Sequence, residues 1–352
     1  MQPPPESFDP RPELADRRPE PADTRPRPVE GPLSESVEGL SSTSSDATPF
    51  RSGFACFVGR PNAGKSTLTN ALVGSKIAIA SAMPQTTRHA IRGIVTRSDA
   101  QLIVIDTPGL HRPRTLLGER LNQLVRGTWT EVDVIGVCLP ANERIGPGDN
   151  YLVGQIAALP KTRSLVAIAT KSDLTSPHQL GEHLLGIAAL EAKHGIDWAH
   201  IVPVSAVTND RLDVLSDVLA ELLPEGPQLY PDGILTDEPE ETLVAELIRE
   251  AALDGVREEL PHSITVSVEE MRLRPDRSAD KPLLDVFASM IVERDSQKGI
   301  LIGHRGSRLR EIGAAARQQI EALLGTPIYL DLRVKVLKEW QRDPKHLNRL
   351  GF

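Results

Sequence analysis

The chain has 352 residues, 39% hydrophobic and 25% charged, which is enough apolar material for two or three packed domains and excludes a wholly disordered or fibrous chain. Its net charge of −8 argues against a uniform nucleic-acid coat, yet residues 294–352 hold 12 Lys/Arg against 6 Asp/Glu, making that end +6 and the remainder −14. A basic end on an acidic protein is a local electrostatic footprint for a polyanion.

Residues 1–50 hold 11 of the 29 prolines, with serines and acidic side chains and almost no large apolar ones. Such a segment cannot bury enough surface to offset its ordering entropy, so it reads as a disordered arm, a solvated extension rather than a docking tail. From residue 51 the pattern changes. Apolar runs at 54–58, 91–96, 102–105, 132–139, 164–169 and 200–204 alternate with amphipathic stretches near 118–126, 150–158, 180–193 and 212–223. The alternation predicts an α/β domain over 51–225, with a mixed, mainly parallel sheet, helices on both faces and ligands at the carboxyl ends of the strands. Cys56 and Cys138 lie inside two strand runs and read as small buried hydrophobes in a reducing compartment.

Pro224-Glu225-Gly226-Pro227 closes this domain, and the acidic residues 226–240 read as a linker. An α+β unit is expected over 241–352. Its helix runs over 240–255, followed by strands near 263–270 and 282–293, a Gly-rich turn, a helix over 307–324 and a last strand over 328–338. No run approaches 18 apolar residues and the first residues lack the apolar core of a secretory signal, so a soluble cytoplasmic protein is expected.

Gly59-Arg60-Pro61-Asn62-Ala63-Gly64-Lys65-Ser66-Thr67 lies between the first strand run and a helical one, with the spacing of a phosphate-binding loop. Backbone N–H groups left open by glycine and aimed by the helix N-terminus would surround a β-phosphate. Lys65 would neutralise β/γ oxygens and Ser66 would ligate Mg²⁺. Asp106-Thr107-Pro108-Gly109 follows the run 102–105. Asp106 there can hold Mg²⁺, and Gly109 lets its N–H approach a γ-phosphate. Thr170-Lys171-Ser172-Asp173 follows the run 164–169. A carboxylate at Asp173 accepts from both the ring N–H and the exocyclic amine of guanine, which selects GTP over ATP. Lys171 would lay its stem along the base. Ser205-Ala206 matches a loop whose backbone N–H reaches the guanine oxygen, although taken alone it is equally an ordinary strand end.

These four elements, in order and at strand ends, resemble the translation-factor-related GTPases. Gln85-Thr86-Thr87-Arg88-His89, Asp106-Thr107-Pro108-Gly109-Leu110-His111 and Leu116-Leu117-Gly118-Glu119-Arg120-Leu121 are most similar to the Era family, and the likeness runs from about residue 53 to the end. The resemblance implies a GTPase cycling between GTP and GDP with Mg²⁺, in which a threonine of the first switch segment joins the metal. Thr87 is the choice and Thr86 the alternative. Two positions depart from the common pattern. Leu110 stands where many relatives carry a water-orienting glutamine, so turnover should be slow. Thr170 stands where the family usually has Asn, keeping one hydrogen bond and losing the amide. The resemblance further suggests that Asn62 coordinates K⁺, whose charge would serve as an arginine finger does. Catalytic weight therefore falls on Lys65, Asn62 and Thr87.

Gly303-His304-Arg305-Gly306 follows an apolar run and opens a helix beginning Ser307-Arg308, with Arg310 further on. It reads as a G-x-x-G loop, set either between two helical turns or between strand and helix, as in KH domains of the bacterial type II arrangement. Glycines let RNA backbone lie against protein backbone while His304 and Arg305 attract phosphates. Val292-Glu293-Arg294 and Leu332-Arg333-Val334-Lys335-Val336 resemble the C-terminal domain of the same family. Trp340 reads as packing against the last strand in preference to stacking on a base. The resemblance implies a monomeric GTP-switched protein that binds the 3′ region of small-subunit (16S) ribosomal RNA and matures the 30S subunit. It also implies peripheral contact with the cytoplasmic membrane face, which no residue pattern carries. A tRNA-modifying GTPase relative and an RNA-binding protein that only senses nucleotide are the rival readings.

Overall fold

The computed structural model describes residues 49–80, 87–110, 113–160, 162–255, 263–278 and 280–352. Residues 1–48 of the expected arm over 1–50, together with Gln85, Thr86 and His111, lie outside the described residues.

A six-stranded sheet is built from β1 (Arg51–Val58), β2 (Ile91–Thr96), β3 (Ala100–Asp106), β4 (Val134–Pro140), β5 (Ser164–Thr170) and β6 (His200–Pro203) in the order β2-β3-β1-β4-β5-β6. Every pairing is parallel except that of β2 with β3. Strands buried on both faces need apolar side chains at every position. β4 shows the result, since all of Val134–Pro140 is buried. Alternate residues then feed two cores. Ala55, Phe57, Val134 and Cys138 meet α1 (Lys65–Val73) and α5 (Leu212–Glu221) on one face. Cys56, Val58, Ile135 and Val137 meet α2 (Leu116–Glu131), α3 (Pro147–Ala157) and α4 (Pro177–His194) on the other. Both cysteines are free and fully buried, as expected, and burial pushes the Cys138 thiol up to about 12.

Residues 226–239 are more than a spacer. The fully buried Gln101 accepts from the N–H groups of Leu229 and Tyr230 (both 2.8 Å) and donates to Tyr230 O at 2.9 Å. Ile94 on edge strand β2 donates to Leu235 O at 2.8 Å. The segment thus lies along the sheet edge and covers it.

The second sheet, β7 (Thr265–Leu273), β8 (Leu284–Val292) and β9 (Ile328–Val336), pairs β7 with β8 antiparallel and β8 with β9 parallel. One face packs on α6 (Glu240–Leu253), α7 (Asp295–Ile302) and α8 (Ser307–Leu324) through Leu247, Ile248, Leu301, Ile312 and Ile320. α7 stands where sequence suggested a Gly-rich turn. Its run Ile300-Leu301-Ile302 mimics a strand, but Gln297 accepts from the Glu293 and Arg294 N–H groups (2.9 and 3.1 Å) and starts a helix. α9 (Pro344–Arg349) was also not anticipated. Asp343 caps it by accepting from Lys345 N and His346 N, with Pro344 at its first position.

The two sheets belong to one compact unit. A small core joins them, in which Leu117 and Leu121 of α2 meet Ile291, Trp340 and Leu347. Among the described residues, no helix is long and apolar enough to cross a membrane.

Candidate nucleotide and nucleic-acid sites

The phosphate loop leaves β1 at Val58 and enters α1 through Gly64, whose φ of 89° only glycine adopts without strain. Lys65 is buried, and its Nζ donates to Gly59 O at 3.2 Å and Arg60 O at 3.0 Å across the loop mouth. Burial draws its pKa down while Asp106 opposes. Asn62 and Pro61 are exposed on the loop rim, and Thr67 is half-buried in the first turn of α1. The Arg60 guanidinium leads in another direction. It pairs with Asp149 of α3 at 2.6 Å and with Glu143 at 2.9 Å, bracing the loop against the β4–α3 connection.

Asp106 ends β3 fully buried. Its Oδ2 accepts from Ser66 Oγ at 2.7 Å and from Thr87 Oγ1 at 3.2 Å, and the two hydroxyls are 3.1 Å apart. Its Oδ1 is buried with no hydrogen-bond partner. Burial pushes this carboxyl up to about 6, with Ser66 and Lys65 pulling against it. Two hydroxyls and a carboxylate whose second oxygen is buried and unpartnered form a cluster of hard ligands suited to Mg²⁺. The sequence-expected trio Ser66, Thr87 and Asp106 is therefore brought together.

The D-x-x-G loop folds over the same spot. Thr107 is buried and donates to Phe57 O, and a Cβ on Gly109 would sit 3.5 Å from Lys65 Nζ and from Pro61 N. Leu110 turns its apolar side chain into the core beside α2 and α3, and it rims a cleft of about 820 Å³ shared with Arg60, Pro61 and Tyr151.

The base-side loops also assemble. Thr170 is buried at the end of β5, and its hydroxyl donates to Ala63 O in the phosphate loop at 2.7 Å. Lys171 takes φ 59°, and Ser172–Leu174 form one 3₁₀ turn that leaves Asp173 exposed. Ser172 N donates to Val204 O, which ties this turn to the loop after β6. Ser205 is buried with its N–H on Asp210 O and its Oγ accepting from Thr208 N, so its own backbone donor is already engaged.

At the other end, Gly303-His304-Arg305-Gly306 sits between α7 and α8, the first of the two placements the sequence left open. Gly303 has φ 69°, and a Cβ there would lie 2.8 Å from Arg308 Cβ and 2.9 Å from Arg308 N. His304, Arg305 and Arg310 are exposed, and Ser307 starts α8. Arg308 points away, donating to Asp254 O and pairing with Glu311. Trp340 is fully buried, as packing requires, and donates to Ser263 O at 3.1 Å.

Comparison with known proteins matches residues 54–171 to the 50S ribosome-binding GTPase family and residues 259–341 to the KH domain. The chain is 65% identical over 317 residues to GTPase Era of Streptomyces coelicolor, covering 90% of this chain and all of that one. It is 67% identical over 302 residues to GTPase Era of Nocardioides sp., covering 86% and 96%. The chain belongs to the Era family of GTPases. A crystal structure of Era with MgGDPNP and nucleotides 1506–1542 of 16S ribosomal RNA superposes with a TM-score of 0.80 at 35% identity, covering 86% of this chain and 99% of that one. An Aquifex aeolicus Era variant bound to GDP and AlF4⁻ gives the same values.

This Era-family GTPase also contains residues that sequence reasoning passed over. Directly after Thr87, Arg88 is buried and His89 half-buried rather than solvated. Glu246 and Arg249 form a buried ion pair at 2.7 Å on α6. Charges of opposite sign three residues apart inside a mostly apolar helical stretch were the available signal for that pair.

Proposed function

We propose that the chain is a GTP-driven switch that binds the 3′-terminal region of small-subunit ribosomal RNA and acts in assembly of the 30S subunit. Residues 51–225 carry the nucleotide, 226–240 join the halves and 241–352 carry the RNA. The observation that carries this reading is the segment from Thr87 to His89. Its first hydroxyl lies 3.2 Å from Asp106 in the nucleotide site, while Arg88 donates to Ile264 O of the second half at 2.7 Å. The solved Era bound to 16S nucleotides supports the choice of RNA.

In this reading GTP lies across the mouths of β1, β3, β5 and β6. The phosphate-loop N–H groups and Lys65 hold the β- and γ-oxygens. Mg²⁺, held by Ser66, Thr87 and Asp106, would neutralise charge that builds on the leaving phosphate. Gly109 brings its N–H toward the γ-phosphate. Asp173 accepts from guanine, with Lys171 along the base and Ala206 toward the guanine oxygen. Leu110 offers no group to orient water, so slow hydrolysis follows, and Asn62 would hold K⁺, whose charge would offset the negative charge that develops during transfer. On the RNA side, His304, Arg305 and Arg310 take phosphates beside the Gly303–Gly306 backbone. The protein acts as a cytoplasmic monomer, with peripheral contact at the cytoplasmic membrane face resting on the family resemblance alone.

Crosslinking in cells, mapped onto ribosomal RNA, tests this. Crosslinks should cluster near the 3′ end of the small-subunit RNA and weaken with Gly303→Asp, because the added side chain meets both φ 69° and the Arg308 backbone. Crosslinks confined to tRNA would sink the assignment.

A further inference from the structure

Thr87 supplies a hydroxyl to the Asp106 cluster, and the two residues after it are gripped from the other half of the molecule. Arg88 is 3% exposed, donates to Ile264 O at 2.7 Å and lies over the Trp340 ring at 5.5 Å. His89 stacks on Phe352 with ring centroids 4.9 Å apart, and Phe352 stacks in turn on Trp340 at 5.9 Å. The same segment grips the second helix of the nucleotide half. The Phe352 main-chain oxygen and Asn348 Oδ1 both accept from Arg120, and Gln341 O accepts from Leu117 N at 3.0 Å.

We infer that Arg88 and His89 are positioning residues for Thr87, and that residues 337–352 form the wall that holds them, so the metal-side hydroxyl is set from the RNA-binding half. This rests on the nucleotide reading proposed above and adds the residues through which the two halves communicate.

Charge supports the geometry. A guanidinium this deep is retained only where partners compensate it. Burial pushes Arg88 down to about 9, with Arg249 pressing the same way and Glu246 and Glu293 opposing, so it stays cationic. Burial alone would raise the Glu246 carboxyl, but Arg249, His89 and Arg88 bring it below its usual value. The pocket is therefore built for a cation at position 88 and an aromatic face at 89. Displacement of either side chain from it would pull on the Thr87 backbone, because Arg88 adjoins Thr87 and His89 lies only one residue further on.

Thermodynamic coupling is reciprocal, so weakening the wall must weaken metal-assisted nucleotide binding. The test uses the full chain with Phe352→Ala, Phe352→Tyr and Arg88→Ala. Mg²⁺ is titrated against binding of a fluorescent, non-hydrolysable GTP analogue, and amide hydrogen exchange is followed at residues 87–90. Phe352→Ala and Arg88→Ala should raise the Mg²⁺ midpoint on the order of tenfold and speed exchange at 88–90. Phe352→Tyr, which keeps the stacking ring, should leave both unchanged. Phe352 is only partly buried, so its variants report even where Arg88→Ala fails to fold. An unchanged Mg²⁺ midpoint in folded Phe352→Ala would overturn the inference. Absence of ribosomal RNA crosslinks in the unaltered protein would instead overturn the RNA reading and leave the Mg²⁺ result standing.

Discussion

The Thr170 hydroxyl donates to the Ala63 carbonyl at 2.7 Å, which makes the base-recognition loop and the phosphate loop one mechanical unit. Asn at this position could make the same bond through its amide, so Thr170 keeps the fastening function with a shorter side chain. Thr170→Val preserves shape and removes the donor. The buried Ala63 carbonyl then loses its partner at a cost of about 1–3 kcal/mol. GTP and GDP affinity should fall about tenfold, read by titration with a fluorescent GDP. Thr170→Asn should restore it, and equal affinity in the Val variant would show that the bond carries nothing.

Asp173 is exposed at the end of its 3₁₀ turn, ready to meet a base edge. A carboxylate only accepts, which matches the two N–H donors of guanine, whereas an amide accepts once and donates once. Asp173→Asn should therefore lose GTP by about 10³-fold or more and gain xanthosine triphosphate, whose edge presents one donor and one acceptor. Competition between the two nucleotides measures the exchange. A variant that lost both equally would point to collapse of the loop instead.

How far the sequence could be read depended on the range of the chemistry. The phosphate loop, Asp106, Thr170 and Asp173 each announce themselves within a few residues, because phosphate and base recognition need fixed spacings at strand ends. Arg88 could not be read so. In a polar loop a lone arginine looks solvated, and the carbonyl that buries it, Ile264 O, lies 176 residues away. Phe352 and Trp340 likewise acquire meaning only when α2 arrives beside them. α7 stayed one of two open placements for a different reason, since three consecutive apolar residues suit a strand and a helix equally and one capping glutamine decided between them.

Asn62 sits on the phosphate-loop rim at φ 62°, a backbone setting Asn tolerates better than most residues. If it holds K⁺ beside the transferring phosphate, hydrolysis in K⁺ should exceed that in Na⁺ by about an order of magnitude or more, short of the full effect of about 10³ or more of an arginine finger. Asn62→Ala should abolish the difference and leave Na⁺ rates as they are. Single-turnover hydrolysis in matched chloride salts decides it, and equal wild-type rates in the two salts remove the K⁺ role.

Arg60 tests whether the loop's outer brace matters to the protein as a whole. Its partners differ in burial, since the Asp149 side chain is 1% exposed and that of Glu143 is 43% exposed. The Glu143 arm is screened by water and contributes little. The Asp149 arm is another matter, because removing one partner of a buried pair leaves a charge without compensation. Asp149 keeps one hydrogen bond, from Gly146 N at 2.8 Å, which softens the loss. Arg60→Ala should destabilise the protein by about 1–3 kcal/mol in denaturant melts, at the lower side of a broken buried pair. Adding Asp149→Asn removes the stranded charge while keeping an acceptor for Gly146, so the double variant should recover part of the loss. Two single-variant effects that simply add would mean that Arg60 and Asp149 are neighbours without coupling. Nucleotide affinity separates the two consequences of the brace, since Arg60 also offers its carbonyl to Lys65 at 3.0 Å. A loop freed from α3 should bind GTP more weakly even under conditions where the fold is fully retained.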